Sequence, residues 1–383
     1  MTNMKKKICF VVSSPGTANS FFKEPIKLLS KHFDVYLAAN IKSEDEVKDL
    51  ALAGFRSIPI ERRPRIKTDL KALRELTRYF KEERFDCVHS MSKKASLLCS
   101  IAGRRAKVPY RFHHFTGQMW HTMKGLRRAF YKYMDLFIVK SDTHMLVDGV
   151  SQMEYLEEQK ILKKNQATVL GKGSICGVNI DRFKRDSDAR KRIREEVKIA
   201  DDTIVFIFMG RLKREKGIYE LLAAYNEIAP SCPKSLLLLV GGDEESCMSR
   251  LTEYPNLQED KNVIYYGFTK KPEDLLNAAD IYVLPTYREG FGLSVLEASC
   301  VGLPVICSDT YGVRDTMVDN ETGLRCKTYD VETLSHSMLE LYSNSDMRKK
   351  FGEKGIEYVH KNFSSSYVCQ EWLNYYLTNL KNG

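Results

Sequence analysis

The sequence predicts two α/β domains in tandem, each built on a doubly wound parallel sheet. Three observations predict it. The chain has 383 residues, more than one hydrophobic core usually organises. Short apolar runs alternate with amphipathic stretches from the start, as strands and helices do in such sheets. The alternation then restarts after a highly charged stretch, Asp181 to Asp202.

In the first half, Ile8 to Ser13, Phe33 to Ala39, Arg56 to Ile60, Cys87 to Ser90, Tyr110 to Phe115 and Leu136 to Lys140 read as strands. Between them, Phe21 to Lys31, Asp45 to Ala53, Asp69 to Glu83, Lys94 to Arg104 and Met123 to Tyr133 have helical spacing. The second half gives strands Thr203 to Gly210, Ser235 to Val240, Val263 to Tyr266, Ile281 to Pro285 and Pro304 to Ser308. Its helices are Tyr219 to Ile228, Glu273 to Ala279, Ser294 to Cys300 and Glu332 to Tyr342. The glycine-rich segment Gly171 to Phe183 reads as the hinge. The expected domains are therefore 1–175 and 176–361, with a last helix over 362–383 packing back on the first. Open α/β sheets bind ligands at the carboxyl ends of their strands, so a cleft between the domains is where chemistry is expected.

Hydrophobic residues at 43% and charged residues at 29% describe a soluble globular chain. The apolar run Ile8 to Val12 is too short for a signal peptide, and no run reaches the ~18 residues of a membrane span, so a cytoplasmic protein is expected. The ten cysteines form no C-x-x-C pair and read as reduced core thiols rather than disulfides or zinc ligands. The net charge of +10 is uneven: residues 1–175 hold 33 Lys and Arg against 18 Asp and Glu, while residues 176–383 hold 27 against 32. The basic half suits an anionic lipid surface, a phosphorylated acceptor or nucleic acid.

Strand Thr203 to Met209 runs into Gly210, Arg211, Leu212, Lys213, Arg214, Glu215, Lys216 and Gly217, and then a helix. Arg211 and Lys216 thus share a strand-to-helix loop, where two cations and a helix N-terminus together favour a diphosphate. A second loop follows strand Ile281 to Pro285: Tyr287, Arg288, Glu289, Gly290, Phe291, Gly292, Leu293, Ser294, with Glu297 about one turn later. Its glycines let backbone N–H groups approach a phosphate. Glu297 is placed to take ribose hydroxyls, and Glu289 to meet a sugar hydroxyl or the positive charge that develops on the sugar. A hydrolytic dyad is rejected, because hydrolytic carboxylates flank a glycosidic bond from two sides and these two share one loop.

These paired motifs resemble the retaining glycosyltransferase family 4, of the bacterial surface-polysaccharide type, whose GT-B fold has two facing Rossmann-like domains. The likeness extends over the whole chain, through Gly16 and the junction Gly177, Val178 and Asn179. It implies that Arg211 and Lys216 hold the donor diphosphate, aided by the amides of Gly290, Phe291, Gly292, Leu293 and Ser294. It also implies that Glu289 contacts the donor sugar, that Glu297 holds the ribose, and that Gly16 leaves room for a donor phosphate or acceptor hydroxyl. A family histidine at a strand end matches His113 or His114; alternation lets only one face inward, and spacing leaves both open. Lys94 resembles a family lysine near the acceptor. Asn179 stands where the family usually has Asp, and Met91 where a histidine is frequent two residues after His89.

The resemblance implies a front-face reaction in which the departing β-phosphate takes the acceptor proton. No D-x-D motif stands at a strand end, so no metal cofactor is expected. Family usage points to a UDP-sugar carrying a hexose or N-acetylhexosamine. Basic clusters Arg62 to Arg78, Lys93 to Lys107 and Lys124 to Lys132, the last interspersed with Phe130, Tyr131 and Tyr133, suit an anionic bilayer. The expected acceptor is a polyprenyl-diphosphate-linked saccharide at the inner membrane face. Competing readings are a nucleotide-sugar hydrolase or epimerase, and a nucleic-acid-binding protein, which no motif supports. A dehydrogenase is disfavoured because no G-x-G-x-x-G follows the first strand.

Overall fold

The computed structural model describes residues 5–61, 63–258 and 261–380. Arg62 of the first basic cluster and residues 381–383 of the expected last helix lie outside them. The chain forms two compact units, Met1–Gly177 with Ser365–Gly383, and Val178–Ser364.

The first unit runs β1 (Lys7–Val11), α1 (Pro15–Phe21), α2 (Lys23–Leu29), β2 (Asp34–Ala39), β3 (Gly54–Ser57), α3 (Ile66–Glu83), β4 (Cys87–Met91), α4 (Lys93–Arg105), β5 (Tyr110–Phe115), α5 (Gly125–Ser141), β6 (His144–Val147), α6 (Val150–Glu158) and β7 (Ala167–Val169). Its seven strands are all parallel, in the order β3-β2-β1-β4-β5-β6-β7. The second unit runs α7 (Ser187–Glu196), β8 (Ile204–Met209), α8 (Ile218–Ile228), β9 (Ser235–Val240), β10 (Val263–Gly267), α9 (Pro272–Ala278), β11 (Ile281–Leu284), α10 (Leu293–Cys300), β12 (Val305–Ser308), β13 (Gly323–Cys326), α11 (Val331–Ser343) and α12 (Ser345–Phe363). Its order is β10-β9-β8-β11-β12-β13, again all parallel. The inner strands β8 and β9 are apolar almost throughout and buried, because helices cover both faces of a parallel sheet. The strand order reverses between β1 and β4 in the first unit and between β8 and β11 in the second, so each sheet opens a crevice there at its carboxyl edge.

The terminal helix α13 (Ser365–Asn379) belongs to the first unit. Val368, Trp372 and Tyr376 recur every four residues and are fully buried. Trp372 packs edge-on to Phe22 at 5.8 Å, and its indole N–H donates to the Ile175 carbonyl at 2.8 Å. The helix begins at Ser365 rather than 362, because α12 continues to Phe363, which is buried in the core of the second unit. The first unit accordingly reaches Gly177, two residues past the expected division.

Two elements differ from the sequence reading. Leu136 to Lys140 is not a strand but the last turns of α5: Asp135, Ile138 and Val139 bury one side of a helix already under way from Gly125, and β6 takes the place next to β5. Asp45 to Ala53 is not a helix. Ser43 and Glu46 close a capping box around a single 3-10 turn, after which the Ala53 N–H bonds the Val35 carbonyl and draws the chain onto the sheet. The edge strand then starts at Gly54, whose pairing partner Tyr36 lays its ring where a Cβ would be. Within the charged stretch, Asp186 caps α7 through the amides of Asp188 and Ala189.

Candidate active site

In the second unit the two motif loops leave adjacent strands on either side of the reversal. After β8 the chain turns through Arg211 to Lys216 and enters α8 at Gly217. Gly217 has φ +73°, and a Cβ there would lie 1.9 Å from the Pro285 carbonyl oxygen at the end of β11. Only glycine allows that approach. Glu215 fastens the loops further, because its backbone carbonyl accepts from the Tyr287 N–H at 3.0 Å and the Thr286 hydroxyl at 3.1 Å. Its carboxylate takes Lys213 and, at 3.2 Å, Arg288. Burial alone would raise the Glu215 pKa, but these cations hold it at about 2.

Lys216 Nζ pairs directly with the Glu289 carboxylate, so residues 73 apart in the chain meet at one point. Arg211, less confined, lies 3.3 Å from Glu244 and 3.7 Å from Glu215. The loop carrying Gly290 to Ser294 closes on α10 through Gly292, at φ +80°. Phe291 is buried, 5.7 Å from the Phe363 ring. Leu293 opens the helix, and the Tyr282 hydroxyl bonds Ser294 Oγ at 2.7 Å while lying 3.4 Å from the Met209 carbonyl. The start of α10 is thereby held beside the end of β8. Glu297 follows one turn in. Burial pushes its carboxyl up to about 7, against the pull of the Arg182 charge. Arg182 itself is bonded to Glu273 at 2.8 Å.

In the first unit, Ser13 and Ser92 hydroxyls meet at 2.8 Å across the β1/β4 reversal. Gly16 sits in the first turn of α1, just behind Pro15, where a Cβ would meet nothing closer than Ser14 Oγ at 3.8 Å. The Lys94 ammonium is bonded to the Arg63 carbonyl at 2.8 Å and paired with Asp69 of α3. His113 and His114 point to opposite faces of β5. His113 Nδ1 lies 3.2 Å from Ser90 Oγ, and burial, with the nearby His114, lowers its pKa to about 3. His114 Nε2 is 2.9 Å from Asp148 Oδ1, and its ring stacks with Trp372 at 5.6 Å. Both border a small pocket with Ser92, Gln118 and Asp135 at the ends of β4 and β5. Among the described residues, no three His, Cys, Asp or Glu side chains cluster as metal ligands would.

Residues 189–358 match the family Glycosyl transferases group 1, and residues 32–173 match the Glycosyl transferase 4-like domain. The protein is a GT-B glycosyltransferase. The glycosyltransferase is 28% identical over 355 residues to the capsular polysaccharide biosynthesis glycosyltransferase CapM of Staphylococcus aureus, with 92% of each chain covered. It is 24% identical over 351 residues, 89% of each chain, to an Escherichia coli enzyme named UDP-Gal:alpha-D-GlcNAc-diphosphoundecaprenol alpha-1,3-galactosyltransferase. Its fold superposes on Anabaena HepE, solved in complex with UDP and glucose, with a TM-score of 0.81, 15% identity, and coverage of 97% of this chain and all of the other.

Asp148, Glu215 and Arg182 were not singled out in the sequence. Asp148 follows β6, the strand misplaced at 136–140, so nothing marked it as a strand-end carboxylate facing β5. Glu215 lay in plain view inside the first motif, but its partners Thr286, Tyr287 and Arg288 are more than seventy residues away. Only the β8–β11 pairing brings them together.

Proposed function

We propose that the glycosyltransferase is a retaining, metal-independent enzyme of family 4. It moves a hexose or N-acetylhexosamine from a UDP-sugar to a polyprenyl-diphosphate-linked saccharide in surface-polysaccharide synthesis, at the inner face of the cell membrane. The observation that carries this reading is the Lys216–Glu289 pair at the strand reversal, a cation and a carboxylate held side by side. On donor binding, the diphosphate takes the Lys216 ammonium, since a group with two formal charges competes well for it. Glu289 is then released to receive a sugar hydroxyl. Arg211 adds a second cation, the amides of Gly290 to Ser294 supply donors at the N-terminus of α10, and Glu297 takes the ribose hydroxyls. The names of the S. aureus and E. coli relatives support the pathway and the acceptor class.

The acceptor hydroxyl attacks C1 of the sugar from the side on which the leaving group departs. The C1–O bond to the β-phosphate breaks, and the hydroxyl proton passes to a phosphate oxygen. Arg211, Lys216 and the loop amides are set before the reaction to stabilise the charge growing on UDP. His113 and His114 border the pocket at the ends of β4 and β5 in the first unit. His113, neutral well below physiological pH, can serve only as an uncharged hydrogen-bond partner.

A panel of nucleotide sugars incubated with a lipid-linked acceptor, scored for nucleotide diphosphate release, tests the proposal. One UDP-sugar should stand out, turnover should persist in EDTA, and Glu289→Ala should lose roughly 10²–10³-fold in kcat, as loss of one preorganised group does. Equal release without acceptor would make the enzyme a hydrolase and refute the transfer.

A further inference from the structure

The basic clusters of the first unit are not alike. Around α3, Arg65 pairs with Glu61, Lys71 with Glu75, Arg78 with Glu82 and Lys94 with Asp69, while Lys67, Arg74 and Lys81 have no carboxylate within 4.0 Å among the described residues. Arg128, Lys132, Lys140, Lys160 and Lys163, on and beside α5, have no carboxylate within 4.0 Å among the described residues. Arg128 and Lys132 instead both donate to one neutral oxygen, Gln159 Oε1, at 2.9 and 3.2 Å. Burial and then the charges of Arg128 and Lys160 depress the Lys132 pKa. An anionic oxygen in place of the amide would improve every one of these contacts, because charge-assisted hydrogen bonds are roughly twice as strong as neutral ones.

The rest of α5 supplies apolar surface next to this charge. Leu126, Phe130 and Tyr133 are 90%, 60% and 68% exposed, and their spacing of four and three puts them on one stripe. Turning around the helix from that stripe, Lys140 and Leu136 come first, then Lys132, Val139 and Arg128. Leu136, Val139 and Lys140 line a groove of about 450 Å³ with Glu157, Ile161, Leu162 and Lys163. On the inner side, Asp135 and Ile138 border the pocket of His113 and His114. One helix therefore carries a bare apolar stripe, the groove with Lys132 and Arg128 beside it, these two also lying over the Trp120 ring, and on its inner side one edge of the histidine pocket.

We propose that α5 with the turn at 159–163 is the seat of the acceptor's lipid end, a membrane-resident polyprenyl diphosphate. Its diphosphate lies on Arg128, Lys132 and Lys160, its first isoprene units lie in the groove over Leu136, Val139, Ile161 and Leu162, and Leu126, Phe130 and Tyr133 rest in the bilayer. The inference rests on the lipid-linked acceptor proposed above and names where that lipid is held. The saccharide then extends toward the histidine pocket.

Flotation with phosphatidylcholine vesicles doped with a polyprenyl diphosphate, against the same vesicles doped with phosphatidylglycerol to equal charge, tests it. The full chain should prefer the diphosphate vesicles. Joint replacement Lys132→Ala and Lys160→Ala should weaken that binding roughly 30-fold, as loss of two cations near an anionic headgroup does, and erase the preference. Phe130→Ser should lower binding to both vesicles, whereas Ile66→Ser, at an 81%-exposed position on α3, should change neither. Thermal melting and UDP affinity of each variant establish that it is folded. Equal binding of the unaltered chain to both vesicle types, or a preference that survives the double lysine replacement, overturns the seat. Because no donor is present in this assay, diphosphate preference without transfer in the nucleotide-sugar panel would uphold the seat and overturn only the proposed reaction.

Discussion

Glu297 shows how a single residue's surroundings become a measurable property of the enzyme. Its carboxyl is raised from 4.5 to about 7, first by burial, so the folded state holds a proton that the unfolded chain has lost. Folding stability from this group therefore falls as pH rises from about 4.5 to 7. In the proposed donor complex, ribose hydroxyls would donate to the carboxylate and favour the charged form. UDP affinity should thus weaken below pH 7 by at most about tenfold per pH unit, and Glu297→Gln should flatten that slope in isothermal titration. The buried histidines work in the other direction. His113, lowered to about 3, and His89, lowered well below 6.5, both chiefly by burial, stay neutral in the fold. Stability held above pH 6.5 should be lost as pH falls from there, by up to about 1.4 kcal/mol per pH unit per group. Urea unfolding at a series of pH values measures it, and a profile unchanged in His113→Gln would contradict the buried neutral assignment. Both motif glutamates were legible in the sequence, as residue types in a spacing. Their contrast was not, for Glu289 finds Lys216 while Glu297 sits in a partly buried place beside Arg182, and both partners are supplied by distant parts of the chain.

At the scale of elements, the strand reversals do most to organise the site. β8 and β11 are neighbours although the residues they pair, such as Phe206 and Ile281, are 75 apart in the chain, and that adjacency alone joins the two loops. Alternation in the sequence made the strands legible and left their order unstated. The same limit explains the misreading at 136–140: Leu, Phe, Ile and Val in a row suit a strand or a buried helix equally, and the choice fell to the helix already running from Gly125. Element α13 is the converse case, since its apolar spacing marks a helix but not which core receives it. Trp372, fully buried among Phe10, Phe22 and His89, fixes that. Trp372→Ala should cost roughly 3–5 kcal/mol, the usual range for emptying a large aromatic site. Denaturant titration checks it, and a loss under 1 kcal/mol, on the order of a surface change, would contradict the packing.

For the whole molecule, the two units have separate cores, with the second unit's cluster independent of those built on β1 to β7. The proposed donor residues Arg211, Lys216, Glu289 and Glu297 all lie in the second. UDP at about 100 times its Kd should therefore stabilise that unit by about 2.7 kcal/mol. In scanning calorimetry, a ligand-dependent shift abolished by Lys216→Ala is the expected result, and a shift that survives the variant would move the donor site elsewhere. Among the described residues no helix is long and apolar enough to cross a membrane. By itself the sequence determined the class of each sheet, the place of the glycine-spaced loop after β11 and the uneven charge, because these depend on local periodicity, local glycines and simple counts. Tertiary structure alone decided that Lys216 faces Glu289, that Lys94 pairs with Asp69, that His114 faces Asp148, and that Arg128 and Lys132 of α5 face Gln159 rather than a carboxylate. Each of these depends on which distant carboxylate folding brings within a few ångströms, and no spacing along the chain encodes that.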